Sequence, residues 1–358
     1  MSATVRSIVT AVLLIAWLRA PAVAGPQHSE EASYDPDAAV RSPPTPDSPW
    51  LDLAPATVFS IQAEPPRDRR KLAASLTLAG LYVGFIGWTY LAWYRVPTHE
   101  FRLGGDGNWK LWSEEGWFGK QRYAGGADKW GHAWATMGLA RGGTELLNQA
   151  GGYSRLTSAL VGTALSELLF FGVEIKDGFA YRFSYGDFTF NTLGAIWGFA
   201  ASMSPRFDEL FDFRVQYAPS TRYREKLRGG DLDIAEDYSG QTYLVAMHLG
   251  GIHALRDARW GGWSRFVDVS FGFESRGYKP DPPYKPTPEM PDYAKSQSTF
   301  VGLSFNAQGL FDYLLRGRST VARKILHGTF EVWSLPYTTL PIADRTVTPV
   351  GDVPDDQN

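Results

Sequence analysis

The chain has 358 residues, 44% of them hydrophobic, and a formal net charge of −3. This length allows one or two domains with a sizeable core, and the near-neutral charge without a basic domain argues against a nucleic-acid partner. The sequence contains no cysteine, which excludes disulfide scaffolds, thiolate nucleophiles, thiolate metal sites and lipid attachment through cysteine. Any bound metal would need histidine and carboxylate ligands.

The first 24 residues have the pattern of a secretory signal. One early cation, Arg6, precedes an apolar run at residues 8–18, and residues 22–24 have the small-residue pattern Ala-Val-Ala. We predict a signal peptide cleaved after Ala24. The alternative is a short signal-anchor helix, although the apolar run is shorter than the roughly 20 residues that a bilayer span needs.

Residues 25–71 contain nine prolines among serine, aspartate and glutamate. They offer few apolar side chains to bury, and the fixed φ angles of proline oppose a helix. We predict a disordered or extended tether. Two short apolar patches, at residues 50–53 and 58–61, interrupt it, and the second is either a docking segment or part of a free linker.

The segment from Leu72 to Tyr94 has 23 residues without a charge, enough to span a bilayer. Gly80 and Gly84 form a small pair that allows another helix to approach closely. A buried helix of a soluble bundle is the alternative. Four basic residues between positions 67 and 71 precede the helix, and after signal cleavage they would lie outside the cytoplasm, against the positive-inside tendency. The orientation is therefore left open.

Three further helical patterns follow, at about residues 127–150, 154–176 and 186–203, all rich in Gly and Ala. The segment at residues 109–123 before them concentrates tryptophan, phenylalanine and tyrosine. Such side chains suit a membrane interface; sugar stacking and packing over the bundle are the alternatives. We predict a helical bundle of about four Gly/Ala-rich apolar helices over residues 72–204.

The pattern changes to a period of two after residue 205. Residues 241–249, 267–274 and 301–306 alternate between apolar and polar side chains, residues 328–333 do so more weakly, and a proline-rich loop occupies residues 280–291. This predicts an antiparallel sheet over residues 205–342, with a disordered tail at residues 343–358. Four or five strands are too few for a closed outer-membrane barrel. The predicted fold class is α+β, a helical bundle followed by an antiparallel sheet.

The three Gly/Ala-rich helices carry polar residues where a bundle helix is usually apolar. Their spacings of three, four and seven place the polar residues on single helical faces that can meet near one end of the bundle. Glu167 lies seven residues before the second group and shares its face. The predicted polar set is Asp128, Lys129, His132, Glu174, Asp177, Asp187 and Asn191.

Buried charges must be paired, hydrated or bound to a ligand. One interpretation is a structural ion-pair network, in which Lys129, Arg182 and a protonated His132 offset the carboxylates. Another is a site for an envelope molecule, and the third is a coincidence of solvated helix faces. In the site interpretation, His132 would be the general base and Asp128 its orienting partner. A hard cation such as Mg²⁺ would be held by Glu174, Asp177 and Asp187.

Three separated motifs carry a family resemblance. Residues 126–132 (GADKWGH), 174–178 (EIKDG) and 183–194 (FSYGDFTFNTLG) resemble the D-K-x-x-H, E-x-x-D-G and F-S-x-x-D-x-x-x-N-x-x-G pattern of the YfiM-like family of bacterial envelope proteins. A remoter similarity is to VanZ-like membrane proteins, which have Gln where this chain has Asp177. Some members of the family are predicted lipoproteins, an anchoring that needs a cysteine. The resemblance implies an envelope location and brings no established reaction.

These observations predict a membrane-associated envelope protein with a structural or binding role, a membrane lipid as partner and no required cofactor. The alternative is a metal-assisted hydrolase or transferase acting on a lipid or cell-wall precursor headgroup, although no G-x-S-x-G elbow or phosphatase-like Arg/His set supplies a nucleophile. A third hypothesis is a lipid-binding or transport component that uses the sheet as a groove. The choice between inner and outer membrane is left open.

Overall fold

The computed structural model describes residues 69–104, 117–120, 122–228, 234–279, 294–317 and 321–347. The predicted signal peptide, almost all of the predicted tether, most of the aromatic segment, the proline-rich loop and the chain after residue 347 lie outside the described residues.

Four long helices form the first half of the described chain and confirm the predicted bundle. They are α1 (Arg69–Ala92), α2 (Ala127–Glu145), α3 (Arg155–Ala180) and α4 (Tyr185–Met203). Residues 69–71, assigned above to the tether, belong to the first turn of α1. A π-helical turn, Leu146–Ala150, extends α2 to the predicted end of that helix.

Side-chain caps explain where α3 and α4 begin. The hydroxyl oxygen of Ser154 accepts a hydrogen bond from the backbone N–H of Thr157, and that of Ser184 accepts one from the backbone N–H of Asp187. Each serine thus satisfies one backbone donor of the first turn, which has no partner inside the helix.

Contacts along the bundle fix the directions of the helices. The hydroxyls of Ser75 in α1 and Tyr153 just before α3 lie 3.1 Å apart, and at the other end Tyr94 donates to Asp177 of α3. Helices α1 and α3 are therefore parallel. Helices α2 and α4 run in the opposite direction, so they begin where α1 and α3 end.

Glycines allow the helices to pack closely, as the predicted small-residue stripe of α4 requires. A Cβ at Gly198 would lie 2.8 Å from the Cβ of Ala140, and a Cβ at Gly162 of α3 would lie 2.7 Å from the carbonyl oxygen of Ala140. By contrast, Gly80 and Gly84 of α1 have no described atom within 4 Å of the position of a Cβ.

Two helices of the described part, α1 and α3, are long and apolar enough to cross a bilayer. They differ in their cover by the rest of the molecule, because 17% of the apolar window of α1 is buried, against 39% for α3. The outward side chains of α1 include Leu76 and Val83, which are 63% and 69% exposed. Helix α1 thus lies on the outside of the bundle with much of its apolar surface free.

The second half forms a six-stranded sheet with strand order β5-β1-β2-β3-β4-β6. All neighbours are antiparallel except β5, which is parallel to β1. The strands are β1 (Phe211–Tyr217), β2 (Gln241–His248), β3 (Val267–Arg276), β4 (Ser296–Phe305), β5 (Trp333–Ser334) and β6 (Thr339–Val347). Shorter helices join them: α5 (Pro205–Leu210), α6 (Thr221–Arg228), α7 (His253–Arg256), α8 (Ala307–Leu314) and α9 (Val321–Val332).

The sheet confirms the three clear alternating segments and corrects two other predictions. Residues 328–333 were predicted as a weak strand. Residues 328–332 instead form the end of α9, whose apolar side chains lie on one helical face, and residue 333 begins β5. Residues 343–347, assigned above to a disordered tail, pair with β4 as the second half of β6. Strand β1 was not predicted.

The two faces of the sheet have opposite chemistry. The apolar face packs against α2 and α4, where the ring of Trp130 stacks on Phe273 with centroids 6.0 Å apart. The polar face is buried as well, because the sheet curls: Gln216 of β1 donates a hydrogen bond to the hydroxyl oxygen of Thr339 in β6, 2.9 Å away. Part of the apolar face extends beyond the helices, and there Phe271 and Leu340 are exposed.

Candidate functional site

The structure brings the polar residues together at the end of the bundle where α2 and α4 begin. Asp128 and Asp187 occupy the first turns of these two helices, where unpaired backbone N–H groups and the helix dipole favour negative charge. Glu174 reaches the same place from α3. Six residues form what we call the charge cluster: Asp128, Lys129, His132, Glu174, Asp187 and Asn191.

Lys129 links the first turns of α2 and α4. Its Nζ lies 2.9 Å from Oδ2 of Asp128 and 2.8 Å from Oδ1 of Asp187, and the residue is 4% exposed. Burial by itself lowers the pKa of Lys129, but the two carboxylates outweigh it and hold this pKa above its ordinary value. Burial also raises the pKa of Asp187, and the attraction to Lys129 reverses this and lowers it to about 2.

His132 is oriented by Asn191. Its Nδ1 donates to Oδ1 of Asn191 at 3.1 Å, and that oxygen also accepts from the hydroxyl of Thr136 at 3.1 Å. The amide nitrogen of Asn191 in turn donates to Oε1 of Glu174 at 3.3 Å. When the imidazole is neutral, this arrangement leaves the lone pair on Nε2, which lies 3.8 Å from Oδ1 of Asp187.

Glu174 is the most deeply buried acid of the cluster, with a fully buried side chain. Its Oε1 lies 3.4 Å from Nδ1 of His132 and accepts from Asn191. Its Oε2 has no hydrogen-bond partner among the described residues. One oxygen of a buried carboxylate thus remains available to a ligand or to a proton.

Asp177 lies beside the charge cluster. Its Oδ1 accepts a hydrogen bond from the hydroxyl of Tyr94 at 2.8 Å, and within the described ranges it forms no hydrogen bond or ion pair with the six cluster residues. Arg182, expected as a compensating cation, is exposed. Asp128 was expected to orient His132. It is instead paired with Lys129, its neighbour in the first turn of α2.

One set of three groups could hold a metal ion. A nitrogen of His132 and one oxygen from each of Glu174 and Asp187 lie within 4.8 Å of one another. The set differs from the predicted one by the exchange of Asp177 for His132. The side chain of His132 is 19% exposed, whereas those of Glu174 and Asp187 are 0% and 11% exposed.

A second buried charge network lies on the polar face of the sheet and was missed by the sequence analysis. Arg214 donates to Asp212 at 2.6 Å and to Asp268 at 2.9 Å. His248 bridges the same two aspartates at 2.9 and 2.8 Å. Burial lowers the pKa of His248, but the aspartates outweigh this and raise it to about 9. Arg141 of α2 adds a third cation 4.0 Å from Asp212 and links this network to Asp208 and Glu331.

The alternation of β1 contains the signal that would have revealed this network. Asp212, Arg214 and Gln216 alternate with Phe213 and Val215, the same period of two that identified the other strands. The register then pairs His248 with Asp268 across β2 and β3. The identity of the partners depends on the curl of the sheet, which the alternation does not encode.

A comparison with known families finds a match for part of the chain. Residues 114–202 match a family described as "Predicted periplasmic lipoprotein (DUF2279)". The matched range contains α2, α3 and all of α4 except its last residue, and therefore every residue of the charge cluster. No curated protein and no solved structure matches the chain. The match supports an uncharacterised bacterial envelope family and an exported location.

Proposed function

We propose that this protein is a membrane-anchored component of the bacterial cell envelope that faces the periplasm, and that its charge cluster fixes the register of the bundle helices. The narrower resemblance to the YfiM-like family is part of this proposal, as is lipid as the partner of the bundle surface. The family match supports the envelope location, and the apolar outer surface of α1 is the observation that carries the anchoring.

The dimensions of α1 suit a bilayer. Its 24 residues extend over roughly 36 Å at 1.5 Å per residue, which exceeds the roughly 30 Å of a hydrocarbon core. In water its outward Leu and Val side chains would remain hydrated. The free-energy cost is roughly 25 cal/mol for each Å² of apolar surface left exposed. Lipid covers such side chains without that cost. Helix α3 adds Leu160 and Leu168, which are also exposed.

The charge cluster would lie near the membrane surface rather than at the centre of the bilayer. Glu174 is six residues before the end of α3, roughly 9 Å along the helix, and α1 ends at the same level because Tyr94 contacts Asp177. Charged groups are much less costly near the interface than at the bilayer centre. This position supports a cluster that both stabilises the bundle and is reachable from the headgroup region.

Fractionation tests the anchoring. We expect the full chain to remain in the membrane pellet after a high-salt wash, because salt weakens electrostatic attachment and leaves apolar contacts intact. A peripheral protein of the same cells serves as the control and should be released. Recovery of most of the chain in the soluble fraction would instead support α1 as a packed helix of a soluble protein.

A second candidate function is a metal-assisted hydrolase or transferase that acts on a lipid or cell-wall precursor headgroup. The observation that favours it is the partly exposed His132, whose Nε2 lies 3.8 Å from Oδ1 of Asp187 at the end of the bundle. Nε2 would act as the general base, and Asn191 rather than Asp128 would orient the ring.

Paired replacements separate this enzyme from a structural cluster. His132→Ala and Asp187→Asn would each be introduced in the native host, and both the phenotype and the melting curve of the purified variant measured. Loss of the phenotype with an unchanged melting curve supports the enzyme. Joint loss supports the structural cluster.

A further inference from the structure

We infer that the charge cluster holds one divalent transition-metal cation, of the class of Zn²⁺, between His132, Glu174 and Asp187. This inference does not depend on the membrane anchoring proposed above. It concerns a site that serves either function, as a clamp between three helices or as the Lewis acid of a reaction.

The first argument is geometric. The three ligand atoms lie within 4.8 Å of one another, so some point between them is no more than about 2.8 Å from each. Shifts of about 0.7 Å would produce the roughly 2.1 Å bonds of Zn²⁺ to nitrogen and oxygen. Each ligand comes from a different helix, α2, α3 or α4. The packing of the bundle therefore brings the ligands together before any metal binds.

The second argument is the charge of the cluster. Among the described residues, Asp128, Glu174 and Asp187 surround one ammonium group, that of Lys129, with the imidazole of His132 beside them. Carboxyl groups therefore outnumber cationic side chains in this part of the bundle, and Asp177 beside the cluster adds a fourth carboxyl group. Buried charge of this kind requires a counter-charge, because desolvation costs several kcal/mol per ion. One divalent cation supplies positive charge to this acid-rich cluster.

The third argument is the unpartnered oxygen of Glu174. The side chain is fully buried, and its Oε2 has no hydrogen-bond partner in the described part of the chain. A buried carboxylate oxygen normally accepts a hydrogen bond, so such an atom needs a specific explanation. A cation beside the carboxylate explains it.

The surrounding residues have the features of a second coordination layer. Asn191 holds Nδ1 of His132 and so directs the Nε2 lone pair, as a hydrogen bond to the second nitrogen does for most metal-binding histidines. Asp187 can contact Lys129 and still bind a metal, because a carboxylate has about four acceptor positions. Three protein ligands with one nitrogen and two carboxylates leave a position open for water.

Zinc binding to the purified full chain in detergent micelles tests the inference. The chain is stripped of metal, dialysed against Zn²⁺, and its bound zinc measured, with calorimetry for the affinity. We expect one Zn²⁺ per chain in the wild type and an affinity reduced by more than about tenfold in Glu174→Gln. The matched control is Glu167→Gln on the same helix two turns earlier. The Glu167 carboxylate accepts from Thr192 and also has an unpartnered Oε2, but it belongs to no group of three metal-ligating side chains among the described residues, so this variant should bind like the wild type.

Two outcomes would overturn the inference. The first is a wild-type chain that binds no stoichiometric Zn²⁺, which would mean that the excess charge is neutralised by protons. The second is equal binding by Glu174→Gln and Glu167→Gln, which would place the zinc elsewhere. If Glu174→Gln fails to fold, His132→Asn tests the nitrogen ligand with the same assay. Membrane fractionation is unaffected by either result, so failure here is distinguishable from failure of the anchoring.

Discussion

Replacement of Lys129 by methionine probes the ion pairs of the charge cluster most severely. The lysine is buried and contacts Asp128 and Asp187 at 2.9 and 2.8 Å. Methionine keeps most of the aliphatic volume and removes the charge, which leaves two buried carboxylates without their cation. Lys324→Met is the matched control, because Lys324 lies exposed on α9 and contacts Gln149.

The structure sets the size of the expected loss. The pKa of Asp187 is lowered from 3.8 to about 2, and this shift corresponds to stability on the order of 2 kcal/mol at neutral pH. Breaking a buried ion pair by removal of one partner typically costs about 3–5 kcal/mol. We therefore expect Lys129→Met to lower the free energy of unfolding by about 3–5 kcal/mol, and Lys324→Met by less than about 0.5 kcal/mol.

The loss should depend on pH in a defined direction. Because the folded-state pKa of Asp187 is depressed, its contribution is present above pH 3.8 and disappears as the pH falls through about 2. The difference between wild type and Lys129→Met should therefore shrink below pH 4. Denaturant unfolding in detergent micelles at pH 7 and pH 3 measures it. A loss at pH 7 no larger than that of Lys324→Met would refute the reasoning.

Three further predictions follow from other parts of the chain. The pKa of His248 is raised to about 9, so protonated His248 stabilises the folded state fully below pH 6.5, and this stabilisation is lost as the pH rises through 9. Between these pH values the free energy of unfolding of the wild type should fall by about 3 kcal/mol. A His248→Gln variant should lack this fall in pH-dependent unfolding. Gly194→Ala should destabilise the folded protein by about 1–3 kcal/mol in thermal unfolding, because the new Cβ would clash with the carbonyl oxygen of Ala133. The control Gly142→Ala should be neutral or stabilising, because its Cβ would have no described atom within 4 Å. Mass spectrometry of the purified chain should show an N-terminus just after Ala24, and an intact leader would contradict the predicted signal peptide.

The helical part could be predicted because its signals are local. The spacing of four residues between Asp128 and His132 fixes their common face in any α-helix, and Ser154 and Ser184 are typical caps at the starts of α3 and α4. Close approach of the helices follows from glycines at regular spacing. The convergence of three polar faces is then the arrangement that leaves the fewest buried charges unpaired.

The partners within the cluster could not be predicted, because they depend on how far each helix is shifted along its axis relative to its neighbours. A shift of one residue along α3 moves a carboxylate by about 1.5 Å, enough to exchange one partner for another. Asp177 therefore pairs with Tyr94, which lies beyond the end of α1, and Asp128 pairs with Lys129 instead of His132. The network around Arg214 depends on strand register and curl in the same way.

Labelling of single cysteines tests the membrane anchoring most directly, since the chain contains no cysteine of its own. Val83→Cys would place a thiol on the exposed outer surface of α1, and Asp257→Cys one on the exposed turn after α7, where the native side chain is 66% accessible. Both variants would be treated with a charged, membrane-impermeant maleimide in opened native membranes. We expect Asp257→Cys to react and Val83→Cys to stay protected by lipid until detergent is added. Equal labelling of both variants without detergent would contradict the account.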